Sequence, residues 1–186
     1  MNGLPLHTPR LILREWRDAD LDAWAAMSAD PEVMAWLLGP KSRTECEAAA
    51  ERWRAHFTEH SFGFCALEAP GVADFVGVGG LGKTRYEAPF TPAVEVGWRL
   101  ARPFWGRGYA TEAARAALED GFGRLGLSEI VATTMPDNHR SRAVMTRLGM
   151  SHDPKDDFDH PIVPEGHPQR RHVLYRLSRA AWEARS

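Results

Sequence analysis

Residues 93–118 read AVEVGWRLARPFWGRGYATEAARAAL, and the fold is decided there. The first part alternates. Val94, Val96, Trp98 and Leu100 fall on one side of an extended chain, and Glu95, Gly97 and Arg99 fall on the other. This is the pattern of a strand. Gly106 and Gly108 then interrupt the chain. From Ala110 the apolar positions take helical spacing, with Ala113, Ala114, Ala117, Leu118, Phe122 and Leu125 on one stripe. Glycines allow a tight turn and bring backbone N–H groups close to a ligand. A helix N-terminus adds unpaired donors and a partial positive charge. The combination suits a phosphate or pyrophosphate. It is not a P-loop, because no Gly-Lys-Ser/Thr follows. It is not a complete dinucleotide fingerprint either, because the third glycine is missing.

Working outward, Phe62–Glu68 and Asp74–Leu81 read as two more strands before this one, and Arg10–Arg14 as a first strand. Asp18 or Asp20 is expected to cap a helix with Leu21, Trp24 and Met27 on one face. Asp30–Pro31 starts the next segment. Thr44-x-x-Glu47 reads as a capping box for a helix carrying Cys46, Ala49, Ala50, Trp53 and Phe57. Gly126 is the expected stop of the helix after the glycine turn. A strand over Ile130–Thr134 follows, then a helix from Asn138 to Leu148 and a polar stretch, Ser151–Arg171. The last of these reads as a long loop or an irregular strand pair. His172–Ser178 is a closing strand. Antiparallel strands with helices between them give an α+β, or mixed α/β, fold.

The 186 residues suit a single domain over 1–186. A net charge of −2 gives no global basic field for nucleic acid or an anionic membrane. Cys46 and Cys65 form no CxxC pair, so neither a disulfide framework nor a thiolate zinc site is expected. No apolar run is long enough to span a bilayer, and Met1–Thr8 lacks a signal pattern, so a cytoplasmic location is expected. The Asp156–His160 loop with His167 and His172 matches no zinc or calcium spacing, and no metal is expected. An acidic lip for a cationic ligand suits that loop better.

Several ordered stretches together resemble the GNAT superfamily of N-acetyltransferases, and within it the RimJ/RimL-type branch, whose named members acetylate N-termini of ribosomal proteins. They are Arg10–Arg14, Asp30–Met34, Glu95–Leu100, Arg102–Glu112, and Asn138–Arg142 running on to Met150. The resemblance implies a central mixed, mostly antiparallel sheet, splayed between the family's fourth and fifth strands, with acetyl-CoA as co-substrate in the opening. It implies that the backbone of Trp98, Arg99 and Leu100 pairs with the pantetheine amides. The N–H groups of Gly106, Arg107, Gly108, Tyr109 and Ala110, with Thr111, would hold the pyrophosphate, and Asn138 would contact the cofactor from the opposite arm. Two positions depart from the family pattern. Trp105 stands where Gln or Arg usually opens the glycine motif, and Met145 stands where a tyrosine general acid is common.

An amine must lose a proton before it attacks a thioester, and the leaving thiolate benefits from a donor. Glu95 is the candidate base, because Gly97 beside it on the same strand face is expected to leave room for a ligand; water is the alternative. Ser141, one helical turn after Asn138, is the candidate donor in place of Met145. Arg140, Arg142 and Arg147 are cations available to the CoA phosphates. Trp16, Trp24 and Trp36 line either an acceptor pocket or the core, the core being the simpler use. The expected activity is direct acetyl transfer to a primary amine such as a protein N-terminus. A small amine, such as an antibiotic or polyamine, is the alternative acceptor, and a CoA-binding regulatory module without turnover is the non-enzymatic alternative. Oligomeric state is not legible.

Overall fold

A computed structural model describes residues 3–185. Two short strands, β1 (Leu6–His7) and β2 (Ile12–Arg14), precede three helices, α1 (Asp20–Ala29), α2 (Pro31–Met34) and α3 (Arg43–His60). A meander of β3 (Phe64–Ala69), β4 (Ala73–Lys83) and β5 (Val94–Leu100) leads into α4 (Tyr109–Phe122). Then come β6 (Glu129–Thr134), α5 (His139–Arg147), β7 (Ser151–His152), β8 (Phe158–Asp159), β9 (Arg171–Ser178) and α6 (Arg179–Glu183). The polar stretch after α5 thus holds two short strands, both paired to β9.

Two helix starts differ from the sequence expectation. The capping box of α3 is Ser42 with Glu45, not Thr44 with Glu47. The Ser42 hydroxyl accepts from Glu45 N–H, and the Glu45 carboxylate accepts from Ser42 N–H at 2.8 Å. Both pairs satisfy an S/T-x-x-E spacing, and the upstream one wins because the chain is already extended at Ser42. Neither Asp18 nor Asp20 caps α1. Asp20 is buried and takes both its oxygens to Arg14, at 2.8 Å each. Arg14 also reaches Glu68 at 2.6 Å, so a buried ion network ties β2, α1 and β3 together. α4 stops earlier than expected, at Gly123, while Gly126 supplies a left-handed turn at φ +67°.

The strands run in the order β1-β2-β3-β4-β5-β6-β9-β7. Every neighbouring pair is antiparallel except β5 and β6, which are parallel. β4 and β5 pair continuously from Gly77–Leu100 to Lys83–Val94, whereas β5 and β6 meet at one register position, Glu95 opposite Val131. Beyond it the two strands part. Helices cover both faces. On one, α4 and α5 bury Ala114, Leu118, Val144 and Met145 against Leu81, Val96, Ile130 and Tyr175. On the other, α1 and α3 bury an aromatic group, Trp16, Trp24 and Trp53 with Phe75, whose neighbouring rings lie 5.3–5.9 Å apart. Trp16 and Trp24 are therefore core residues, while Trp36 is 38% exposed.

Candidate active site

The opening between β5 and β6 is a consequence of backbone pairing. Ala101 N–H donates to the Val76 carbonyl and Thr84 N–H to the Ala93 carbonyl, at 3.0 Å each. In an antiparallel ladder the hydrogen-bonded pairs alternate. Both ends of the ladder thus assign Glu95, Gly97 and Arg99 to β4, and leave Val96, Trp98 and Leu100 with peptide groups turned toward the gap. The expectation for Arg99 is corrected accordingly: its main chain is engaged by Val78, so only Trp98 and Leu100 present free backbone to a pantetheine. The Leu100 carbonyl already accepts the Trp105 indole N–H at 2.7 Å and keeps one lone pair.

Past the strand, Arg102–Phe104 makes one 3₁₀ turn. Gly106 and Gly108 both adopt left-handed backbone, φ +74° and +81°, which a side chain would strain. A Cβ on Gly106 would meet nothing within 4 Å, so conformation and not space requires that glycine. Among the described residues no main-chain carbonyl takes the N–H groups of Gly106 through Thr111; the first return bond of α4 runs from Glu112 N–H to the Gly108 carbonyl at 3.1 Å. Unpaired N–H groups at a helix N-terminus are the donors that an anion can use. The Tyr109 side chain is buried in the core, so this residue offers only its N–H. Glu112 anchors the turn. It accepts from the Thr8 hydroxyl at 2.7 Å and from Arg10 N–H at 2.8 Å, while Arg10 Nη1 donates to the Arg107 carbonyl at 2.9 Å. The Arg107 guanidinium lies 5.8 Å from the Phe104 ring, with no carboxylate partner among the described residues. Trp105 sits between two cations, Arg102 at 4.8 Å and Arg140 at 4.7 Å, the latter from α5 on the opposite arm.

On that arm Asn138 caps α5. Its Oδ1 accepts from Ser141 N–H at 3.2 Å, and its Nδ2 donates to Thr134 Oγ1 at 2.9 Å and Ser141 Oγ at 3.3 Å. Both amide hydrogens are committed, which leaves one Oδ1 lone pair for a ligand. Ser141 Oγ is acceptor in this network, so its own proton is free to donate. Met145 is 2% exposed and packs in the core beneath α4.

Glu95 lies where β5 and β6 touch. Among the described residues its carboxylate has no hydrogen bond or ion pair, and burial pushes its pKa up to about 7. The space above Gly97 is not empty, contrary to expectation: a Cβ there would come within 2.9 Å of the Phe64 ring, which also lies over Gly82. Phe64, half-buried, is thus an apolar floor beside Glu95. Tyr86, from the β4–β5 loop, comes close from the other side. Its buried hydroxyl has no hydrogen-bond partner, although the Thr133 hydroxyl is near. Burial and the Glu95 charge hold the phenol protonated, its pKa up to about 12. Tyr86, Phe90, Phe158 and His160 pack together, Tyr86 and His160 at 4.3 Å. Burial keeps His160 neutral, its pKa down to about 4. Sequence reading missed Phe64 and Tyr86 because nothing local distinguishes them from core aromatics.

The acidic lip expected after α5 is not formed. Asp157 pairs with His152 at 2.7 Å, Asp156 with Arg176 at 2.7 Å, and Asp159 with Arg170 and Arg171. Among the described residues no group of three or more His, Cys, Asp and Glu is disposed to hold a metal ion. No described helix is long and apolar enough to cross a membrane.

The sheet thus splits past Glu95, with the glycine turn on one arm and Asn138 on the other. Residues 10–151 match the acetyltransferase (GNAT) domain family, and the chain belongs to that family. It is similar to the FsC-acetyl coenzyme A-N(2)-transacetylase of Aspergillus fumigatus, with 32% identity covering 95% of this chain and 77% of that protein. An acetyltransferase from Agrobacterium tumefaciens superposes with a TM-score of 0.75, 28% identity and 95% coverage of both chains. A RimL ribosomal alpha-N-protein acetyltransferase in complex with coenzyme A shares the fold, with a TM-score of 0.74, 16% identity, and coverage of 94% of this chain and 98% of that one. The protein is an acetyl-CoA-dependent N-acetyltransferase.

Proposed function

We propose that residues 1–186 form one acetyltransferase domain that moves the acetyl group directly to a primary amine, with Glu95 as general base. One observation carries this reading: among the described residues, the one paired position between β5 and β6 holds a carboxylate without an ion-pair partner, and burial raises its pKa to about 7. A base at about 7 takes a proton from an ammonium and releases it without a large penalty at either step.

The N–H groups of Gly106, Arg107, Gly108, Tyr109 and Ala110, with Thr111 and the Arg107 side chain, bind the pyrophosphate. Trp98 and Leu100 orient the pantetheine through their free peptide groups. Asn138 offers its remaining lone pair from the other arm. Trp98 N–H, turned into the gap, stabilises the carbonyl oxygen as it takes on charge. Ser141 gives its proton to the departing sulfur, and the Asn138 amide holds its oxygen in position. Acetyl-CoA supplies the activated acetyl group.

Acceptors are identified by incubating the protein and acetyl-CoA with three pools, namely peptides with free N-termini, polyamines and aminoglycosides, followed by mass spectrometry of acetylated products. Thiol release with an acetylated amine product is expected. Tight acetyl-CoA binding with no acetylated product in any pool would favour a regulatory module.

A further inference from the structure

Arg99 is a half-buried charge that no carboxylate balances among the described residues. Its side chain leaves β5 on the same face as Glu95, away from α4. The guanidinium lies 5.0 Å from the Trp24 ring, and Nη1 reaches only the Met34 sulfur at 3.5 Å. Nε is buried without a partner. Nη2 has no protein acceptor either and is open to solvent. No carboxylate pairs with Arg99 among the described residues, whereas Arg14, which is more fully enclosed by surface exposure, has two. Isolation in this apolar setting pulls the Arg99 pKa down to about 10. A guanidinium held this way is expensive to keep unless something completes it.

The surroundings indicate what completes it. Phe64 lies over Gly97, and Gly97 is the residue between Glu95 and Arg99 on this face. The sequence of groups along the strand is therefore carboxylate, apolar floor, cation. Four residues of strand separate the Cα atoms of Glu95 and Arg99 by about 13 Å.

Building on the amine-acetylation reading, we infer that Arg99 binds a carboxylate carried by the acceptor itself, at the far end of a chain whose amine meets Glu95. The guanidinium then gains the charge-assisted, two-pronged partner that the fold withholds. The acceptor class is an amine with a carboxylate roughly 10 Å away along an extended apolar or peptide linker, a span close to that of a tripeptide from end to end.

The test compares triglycine with triglycine amide, which share amine and length and differ in the carboxylate. For the wild type, kcat/KM is expected to be at least about tenfold higher for the acid, and the ratio should fall close to one in Arg99→Met and partly recover in Arg99→Lys. A second measurement needs no turnover. Glutarate should raise the melting temperature of the wild type and leave that of Arg99→Met unmoved. Arg99→Met should itself melt no lower than the wild type, because it removes an uncompensated charge. An Arg99→Met protein that melts several degrees lower, together with a wild type indifferent to glutarate, would overturn the inference and make Arg99 a structural residue. Acetyl-CoA calorimetry on the wild type separates the two readings. Retained cofactor binding with no carboxylate preference removes Arg99 alone, whereas absent cofactor binding removes the amine-acetylation reading beneath it.

Discussion

Glu95→Gln separates catalysis from stability, because the two should move in opposite directions. The carboxyl has no partner in the fold, and its pKa stands at about 7 against an ordinary 4.5. That difference corresponds to about 3 kcal/mol at 1.36 kcal/mol per pKa unit. Its sign follows from linkage. The folded state holds this proton more tightly than the unfolded chain does. Ionising Glu95 therefore costs the fold nothing below about pH 4.5 and the full amount above about pH 7. Glutamine cannot ionise and escapes the cost. At pH 8.5 the variant should be more stable by about 2–3 kcal/mol, or roughly 4–12 °C in melting temperature for a chain of this size. At pH 4.5 the two proteins should unfold alike. Turnover should fall by about 10²–10⁴-fold, and the ascending limb of the wild-type pH–rate profile near 7 should vanish. Urea unfolding at both pH values, with thiol-release kinetics at saturating acetyl-CoA, measures each quantity. An unchanged ascending limb would transfer the base role to water. Equal stability at both pH values would mean that Glu95 is well solvated and that its pKa is not raised.

Gly108→Asp should abolish measurable acetyl-CoA binding by calorimetry, because φ +81° disfavours any side chain and the new carboxylate would oppose the pyrophosphate; unchanged affinity would remove this turn from the site. Ser141→Ala should slow turnover by about tenfold with cofactor affinity preserved, and wild-type turnover under chemistry-limited conditions would assign thiolate protonation to solvent. Met145→Tyr should not rescue it: the position is core, and overpacking should cost about 1–3 kcal/mol in urea unfolding, so restored turnover would contradict the burial of Met145. Asp20→Ala leaves Arg14 buried with Glu68 as its one carboxylate partner among the described residues, beside the Glu15 and Asp74 carbonyls, and should cost about 2–4 kcal/mol of stability, with a loss below about 1 kcal/mol showing that these partners suffice.

The sequence by itself determined most of the elements and the conformation of the glycine turn. Alternation over Val94–Leu100 and the switch to helical spacing after Gly108 are local signals, and the turn's chemistry resides in backbone that two glycines prescribe. It also led to Glu95, because a lone carboxylate inside a strand stands out from the apolar run. Tertiary structure decided what no local pattern encodes. Which edge of β5 each peptide group faces depends on pairing with β4, and this committed the Arg99 main chain while freeing Trp98 and Leu100. Phe64, thirty-three residues earlier in the chain, occupies the gap that Gly97 creates. Asp156, Asp157 and Asp159 look like an acidic surface in sequence, yet each is engaged by a partner that arrives from β7, β9 or the turn before β9. Arg99 reads in sequence as one more exposed strand cation. Only the packing of α1 and α2 against β5 encloses it with Trp24 and Met34 and without a counter-charge, because long-range burial, not residue type, sets whether a charge is paired.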